Sequence, residues 1–297
     1  MWAEIFRKNG LSFSTEVSLK RYTSLGIGGA VPVFLEPKDS DSLICAVHLC
    51  HCHRIPYRIL GNGTNVIATD ALMTKVVIST RRLNVISKYG SYIEAECGVP
   101  LCRLAEFALE QGMVGVAGLH DIPGTVGAAI RGNASAFEDS SHRYLESVRV
   151  YDVSKRSVRR MEASILSFGY RFSAFLGMKN VLILSARFAF PKGDVAKERE
   201  RIAQYREKRR RTQPVQYRNC GSVFCRYDGV GAGYYLEAAG CKGIRRGGAE
   251  ISALHANFIL NVANATSDDV LFLIDEARER VYHHFGILLT PEVEKIP

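Results

Sequence analysis

The stretch NCGSVFCR, Asn219 to Arg226, sets one serine behind a glycine and between two thiols. Three readings suit those residue types: Ser222 as a catalytic residue, Ser222 as an ordinary turn serine, or Ser222 as a bystander beside a thiol, Cys220 or Cys225, that does the chemistry. A nucleophile needs a base within hydrogen-bond reach, and no histidine stands close to either cysteine along the chain. Arg171 lies among aromatics in GYRFSAF, Gly169 to Phe175. A guanidinium held there in a dry site stabilises developing negative charge. A stem packed on apolar surface with its head in water explains the pattern equally well. Glu292, in LTPEVEK, shares a strand face with Glu294 by alternation. Exposed edge carboxylates are common, so Glu292 on its own marks nothing.

Two loops of small residues come next. LGNGTN, Leu60 to Asn65, lies between two expected strands, and its successive amides suit a nest for an anion such as a diphosphate. DIPGTVGAA, Asp121 to Ala129, lets a flat or charged ligand approach the backbone through Gly124, Thr125, Gly127 and Ala128. A tight hairpin explains the first loop and close helix packing the second. The pair together points to a dinucleotide, held outside the Rossmann framework because no G-x-G-x-x-G opens a helix. HLCHCHRI, His48 to Ile55, has no zinc spacing and reads as the end of a helix, so no metal site is expected.

Those residues need elements to hold them. Short buried strands are expected at VPVFLEP and VVIST, with longer strands at SYIEAECGVP, LESVRVYDV and NVLILSARFAF. Helical periodicity is expected in DSLICAVHLCHCHRI, LCRLAEFALEQGM and TSDDVLFLIDEARERVYHHFG. After a break at Pro191–Asp194, VAKERERIAQYREKRRRTQP reads as a charged helix that must end by Pro214. LHANFILNVA and ILLTPEVEKI read as strands. Helices and strands do not strictly alternate, so the class is α+β. The 297 residues exceed what one core usually serves. The net charge of +9 favours anionic partners. Glu198, Glu200 and Glu207 are interleaved with the arginines, which suits a solvated helix better than a nucleic-acid stripe. No apolar run reaches membrane-spanning length and no secretory signal is read at the start, so a cytoplasmic protein is expected.

The blocks TSLGIGG, LGNGTNVI, IPGTVGAA, YRFS, NCGSVF, GGAEISALHANFILNVANATSDDV and FGILLTPEV stand in one order from about residue 20 to 295. That ordered set resembles the UDP-N-acetylenolpyruvoylglucosamine reductase (MurB) family. The resemblance implies an FAD-binding fold of the vanillyl-alcohol oxidase/PCMH type, with two subdomains plus an α/β substrate-binding domain. The implied division is residues 1–78 with 288–297, then 79–193, then 194–287. It implies FAD and NADPH as cofactors and UDP-N-acetylglucosamine enolpyruvate as substrate, reduced to UDP-N-acetylmuramate for peptidoglycan synthesis. It further implies a monomer, with no nucleic-acid or membrane partner. The catalytic positions implied are Arg171, Ser222 and Glu292. Cofactor contacts fall on Ile59, Leu60, Gly61, Asn62, Gly63, Thr64, Asn65 and Val66, and on Ile122, Pro123, Gly124, Thr125, Val126, Gly127, Asn133 and Ala134. Substrate contacts fall on Tyr170, Arg209, Arg211, Gln213, Arg226, Glu250, His255 and Asn257.

The chain departs from the family pattern in places. Asn62 and Thr64 replace glycine-rich positions of the first loop, and Gly127-Ala128-Ala129 stands for Gly-Gly-Ala. NASAFE, Asn133 to Glu138, replaces NAGAYG, while Glu250 and Thr212 stand for a glutamine and a lysine. The short stretch between Arg171 and Ser222 resembles the subclass without a tyrosine-bearing loop.

Overall fold

The computed structural model describes residues 2–137 and 139–297; Glu138, the last residue of NASAFE, lies outside them. The chain forms two compact units. The first comprises Met1–Thr15, Val33–Asn62 and Lys75–Glu207, and the second Glu16–Pro32, Gly63–Thr74 and Lys208–Pro297. The chain therefore crosses between units inside the LGNGTN loop, and again within the basic helix. The Pro191–Asp194 break lies inside the first unit.

The first unit holds two larger sheets, beside two-stranded hairpins. Phe13–Ser14, Phe34–Leu35, Val76–Ser79 and Tyr57–Leu60 form one, in that order, with the last three strands parallel. The other is antiparallel and runs Ser157–Glu162, Leu145–Asp152, Val181–Phe188, Tyr92–Glu96, Ile86–Tyr89. Val76–Ser79 is buried at every residue, as a central parallel strand must be. The helix Ser40–Cys52 starts at a capping box, where Asp39 accepts from the Ser42 amide at 2.8 Å. It buries Leu43, Ala46, Val47 and Cys50 at helical spacing. Helix Leu101–Glu110 buries Leu101, Leu104, Ala105 and Ala108 in the same way. Each such leucine contributes about 1.5–3 kcal/mol when fully removed from water.

The second unit has its own core, including Leu25, Ile27, Val223, Phe224, Ile251, Leu273 and Val293. Its antiparallel sheet runs Arg218–Asn219, Ile259–Asn261, Ala249–Ile251, Arg245–Arg246. Helix Ser267–Phe285 covers it, capped by Thr266 with Asp269 and closed by Gly286 at φ +70°. Among the described residues no helix is long and apolar enough to cross a membrane.

Three expectations change. Val126–Gly132 is a helix, not a continuation of the loop. Gly127 lies in its first turn, where a Cβ would meet the Cys97 Cβ at 2.8 Å, so the position takes glycine. The final strand starts only at Glu294, pairing parallel to Val66–Ala68, so Glu292 precedes it and the alternation argument does not apply. The charged helix Val195–Thr212 is not simply solvated. Glu198 is 4% exposed and accepts from the amides of Gly115, Val116 and Ala117 at 2.8–2.9 Å. Those amides open the short helix Ala117–His120, and four orphan N–H groups need acceptors at any helix start. Asp139 takes the next one, from Gly118, at 2.9 Å.

Candidate active site

Ser222 and Glu292 are held by one backbone ladder in the second unit. Glu292 N donates to Val223 O at 2.7 Å, and Cys225 N donates to Thr290 O at 3.0 Å. Gly221, at φ +78°, turns the chain just before Ser222, and its amide is capped by Asn219 Oδ1 at 2.9 Å. That angle favours glycine, because a side chain there strains the backbone. Asn257 holds the other side of this segment. Its Oδ1 accepts from Phe224 N and its Nδ2 donates to Phe224 O, both at 2.9 Å. Both Ser222 and Glu292 are half-buried. Burial pushes the Cys220 thiol up to about 12, and the Glu292 carboxylate adds to the rise. A thiol so neutral at physiological pH is a poor nucleophile. Burial thus argues against Cys220 as the nucleophile.

Arg171 belongs to the first unit, at the tip of the hairpin Phe168–Gly169 with Phe172–Ser173. Its φ of +51° is unusual for a residue with a side chain. Such angles persist where surroundings over-determine them, which happens most at functional sites. The guanidinium donates to Ser135 O and Oγ, both at 3.3 Å, and stacks near the exposed Tyr170 ring at 5.5 Å.

The small-residue loops carry amides without partners. Among the described residues the amides of Gly61, Asn62, Gly63, Thr64, Asn65, Gly124 and Thr125 donate no hydrogen bond. Thr125 Oγ1 is buried and without a partner. An unmet buried hydroxyl is costly and invites a ligand acceptor or donor. The nearest atom to a Cβ built on Gly124 is an Ile122 methyl at 3.9 Å, so the backbone there is open to close approach. In the first unit Asn62 Nδ2 ties the loops together by donating to Pro123 O at 3.2 Å. In the second, Gly63 at φ +65° packs so that a Cβ would overlap Tyr22 O. Asn65 donates to Glu292 O at 3.1 Å and accepts from Glu294 N at 3.0 Å. These features fit a diphosphate-bearing flavin nucleotide.

A profile of the UDP-N-acetylenolpyruvoylglucosamine reductase C-terminal domain matches residues 213–296, and one for an FAD binding domain matches residues 31–160. The UDP-N-acetylenolpyruvoylglucosamine reductase of Exiguobacterium sibiricum is 36% identical over 278 residues, covering 94% of this chain and 91% of that protein. That of Synechococcus sp. is 38% identical over 289 residues, covering 96% and 94%.

The chain belongs to the UDP-N-acetylenolpyruvoylglucosamine reductase family.

The crystal structure of the family's reductase from Thermus caldophilus superposes with a TM-score of 0.82 at 29% identity, covering 96% of this chain and 100% of that one. A cholesterol oxidase matches at a TM-score of 0.50 and 16% identity over 61% of this chain and 38% of that one, which speaks to the fold alone. The fold is the α+β FAD-binding type of the vanillyl-alcohol oxidase/PCMH class.

The remaining residues matched to the reductase family pattern are dispersed. Arg209, half-buried, and Arg211, exposed, end the basic helix, and Gln213 follows it with its amide on Arg209 O at 2.8 Å. Arg226 is exposed, four residues beyond Ser222. Glu250 is bound by Arg245, whose Nε lies 2.5 Å from Glu250 Oε2. His255 stacks edge-on with Phe258, and burial pulls its imidazole pKa down, with Lys242 adding to the fall. Asn133 closes helix Val126–Gly132 in the left-handed conformation and directs its carboxamide inward, to Gly169 O. Sequence reasoning passed over Glu198, Asp139 and His142. No local spacing marks Glu198 as different from its neighbours, because the amides that donate to it stand some eighty residues away.

Proposed function

We propose that this chain reduces UDP-N-acetylglucosamine enolpyruvate to UDP-N-acetylmuramate with FAD and NADPH, in cytoplasmic peptidoglycan precursor synthesis. Bound FAD would supply the hydride chemistry that links the nicotinamide to the terminal alkene carbon. Ile59–Val66 and Ile122–Gly127, with Asn133 and Ala134, hold the cofactor; Thr125 Oγ1 and the unpartnered loop amides meet its polar groups. Arg171 opposes the negative charge that grows on the carbon bearing the carboxylate, as a fixed guanidinium does in a water-poor site. Ser222 gives its hydroxyl proton to that carbon, which completes the saturated product. Glu292, as an acid, hydrogen-bonds to the developing charge. Tyr170, Arg209, Arg211, Gln213, Arg226, Glu250 and His255 receive the substrate, with the cations on its diphosphate and carboxylate. Asn257 keeps Ser222 in place. The finer division into residues 1–78 with 288–297, 79–193 and 194–287 belongs to this proposal, as do the monomeric state and the absent tyrosine loop.

The observation that carries the reading is the ladder holding Glu292 against Val223, next to Ser222. The experiment is anaerobic. NADPH is expected to bleach the yellow protein, and the enolpyruvyl nucleotide to restore the oxidised spectrum. Colourless protein without FAD affinity overturns the proposal. Reoxidation by oxygen or a sugar but not by the enolpyruvyl nucleotide overturns the substrate.

A further inference from the structure

Arg171 holds a backbone angle that costs about 1–3 kcal/mol, so its surroundings must enforce it. The hairpin beneath it is fastened at few points. Asn133 Nδ2 donates to Gly169 O at 2.7 Å. Ser173 Oγ donates to Arg131 O at 2.6 Å, and Ala174 N to Ser167 O at 2.9 Å. The Phe168 ring stacks on His142, centroids 4.9 Å apart and planes 10° from parallel. Asn133 is itself 3% exposed.

The orientation of Asn133 follows from its partners. A carbonyl only accepts, so the group facing Gly169 O is the amide nitrogen. Oδ1 then faces Ser141 Oγ at 3.3 Å and His142 Nδ1 at 2.9 Å. An oxygen with no proton requires His142 Nδ1 to carry one, which selects the Nδ1–H tautomer. Ser140 Oγ, 3.0 Å from the same nitrogen, can share that proton as a second acceptor. His142 thus grips the Arg171 hairpin twice, through its ring on Phe168 and through Asn133 on Gly169.

We propose that His142, acting through Asn133, is a positioning residue for Arg171: it sets the hairpin so that the guanidinium meets the charge developing on the substrate. The inference rests on the reading of Arg171 given above. Misplacement of about 1 Å at such a group costs up to about 100-fold in rate. The function belongs to the step in which substrate takes up hydride and proton, and leaves the NADPH step alone.

Two substitutions separate ring from hydrogen bond. His142→Phe keeps the stack on Phe168 and removes the donor. His142→Asn removes the stack and restores a donor, because an asparagine Nδ2 lies where the histidine Nδ1 was. His142→Phe is expected to slow flavin reoxidation by the enolpyruvyl nucleotide about tenfold or more, at an unchanged rate of bleaching by NADPH and an unchanged FAD content. His142→Asn is expected to recover most of that loss. Amide hydrogen exchange across Gly169–Phe172 should speed up in the phenylalanine variant alone. Reoxidation at the parental rate in His142→Phe overturns the inference, as does a parallel fall of both half-reactions and FAD content, which marks a merely structural role. Arg171→Ala serves as the reference. If it reoxidises normally, the reading of Arg171 fails; if it is slow while His142→Phe is normal, only the positioning by His142 fails.

Discussion

One side chain, Asn257, closes both backbone hydrogen-bonding groups of Phe224, accepting from its N–H and donating to its carbonyl at 2.9 Å each. Asn257 is 6% exposed, so water cannot replace it without rearrangement. The pairing stands in for a missing strand neighbour and fixes the segment that carries Ser222. Asn257→Ala leaves a buried donor and acceptor unmet, which costs on the order of 1–3 kcal/mol for each group. Urea unfolding should register a loss of about 2–6 kcal/mol for the two groups together, with slower reoxidation by substrate in whatever protein remains folded.

Ser222→Ala separates the half-reactions. NADPH bleaching should stay at the parental rate, while reoxidation by the enolpyruvyl nucleotide falls about 10²–10⁴-fold, the span of general acid catalysis. Stopped-flow absorbance at the flavin band reads both. A variant that turns over at parental speed removes Ser222 as the proton donor.

Thr125→Val tests the orphaned hydroxyl. The side chains have the same shape, and Thr125 Oγ1 is buried without a partner. The protein stripped of FAD should melt at the same or a higher temperature, since an unmet polar group has gone. FAD affinity, by fluorescence quenching titration, should fall by about tenfold, the equivalent of one hydrogen bond of about 1.4 kcal/mol. Unchanged affinity would mean that the hydroxyl faces no cofactor atom.

Glu198→Ala removes the acceptor for three amides and leaves Arg201, which donates to Glu198 Oε2 at 2.9 Å, without that partner. Breaking a buried charged set of this kind costs about 3–5 kcal/mol. The short helix that it caps leads directly into Asp121–Thr125, so FAD content per chain should fall together with the melting temperature. Glu198→Gln, which keeps an acceptor oxygen, should lose less of both.

Acid stability depends on Glu94. Burial alone would raise its carboxyl, but hydrogen bonds from Arg187, Ser185 and Arg160 outweigh that and hold it at about 2. The folded value is therefore depressed. Its contribution is complete above the unfolded carboxylate range, near pH 4–5, and drains away as pH falls towards 2, amounting to on the order of 3 kcal/mol. Stability measured by denaturant between pH 6 and 2 should decline less steeply in Glu94→Gln than in the parent. Equal slopes would place the acid sensitivity elsewhere.

Helices with strong caps and regular apolar spacing were legible in the chain, because their causes lie within a few residues. Asp39 with Ser42 and Thr266 with Asp269 are examples, with Leu101, Leu104, Ala105 and Ala108 supplying one buried face. The short helices Trp2–Lys8, Ala117–His120 and Ala232–Ala238 were not legible, since tertiary contacts rather than propensity stabilise pieces of that length. Asn62 read as a cofactor contact and as a departure from a glycine-rich loop, with no sign of its partner. In the structure it bridges two loops that the chain separates by about sixty positions.

By itself the sequence determined the α+β class, the order of the blocks and the family they resemble, and the residue types available at positions 171, 222 and 292. Those properties are local or depend on order alone. Only the tertiary structure decided that Cys220 is a buried, neutral thiol, that Glu292 is bonded through its backbone to Val223, and that Glu198 faces inward. It alone showed that Arg171 stands on a hairpin gripped by Asn133 and His142. Each of these depends on a hydrogen bond or a burial between residues far apart in the chain. No spacing rule reaches across that separation, because folding and not sequence distance brings the partners together.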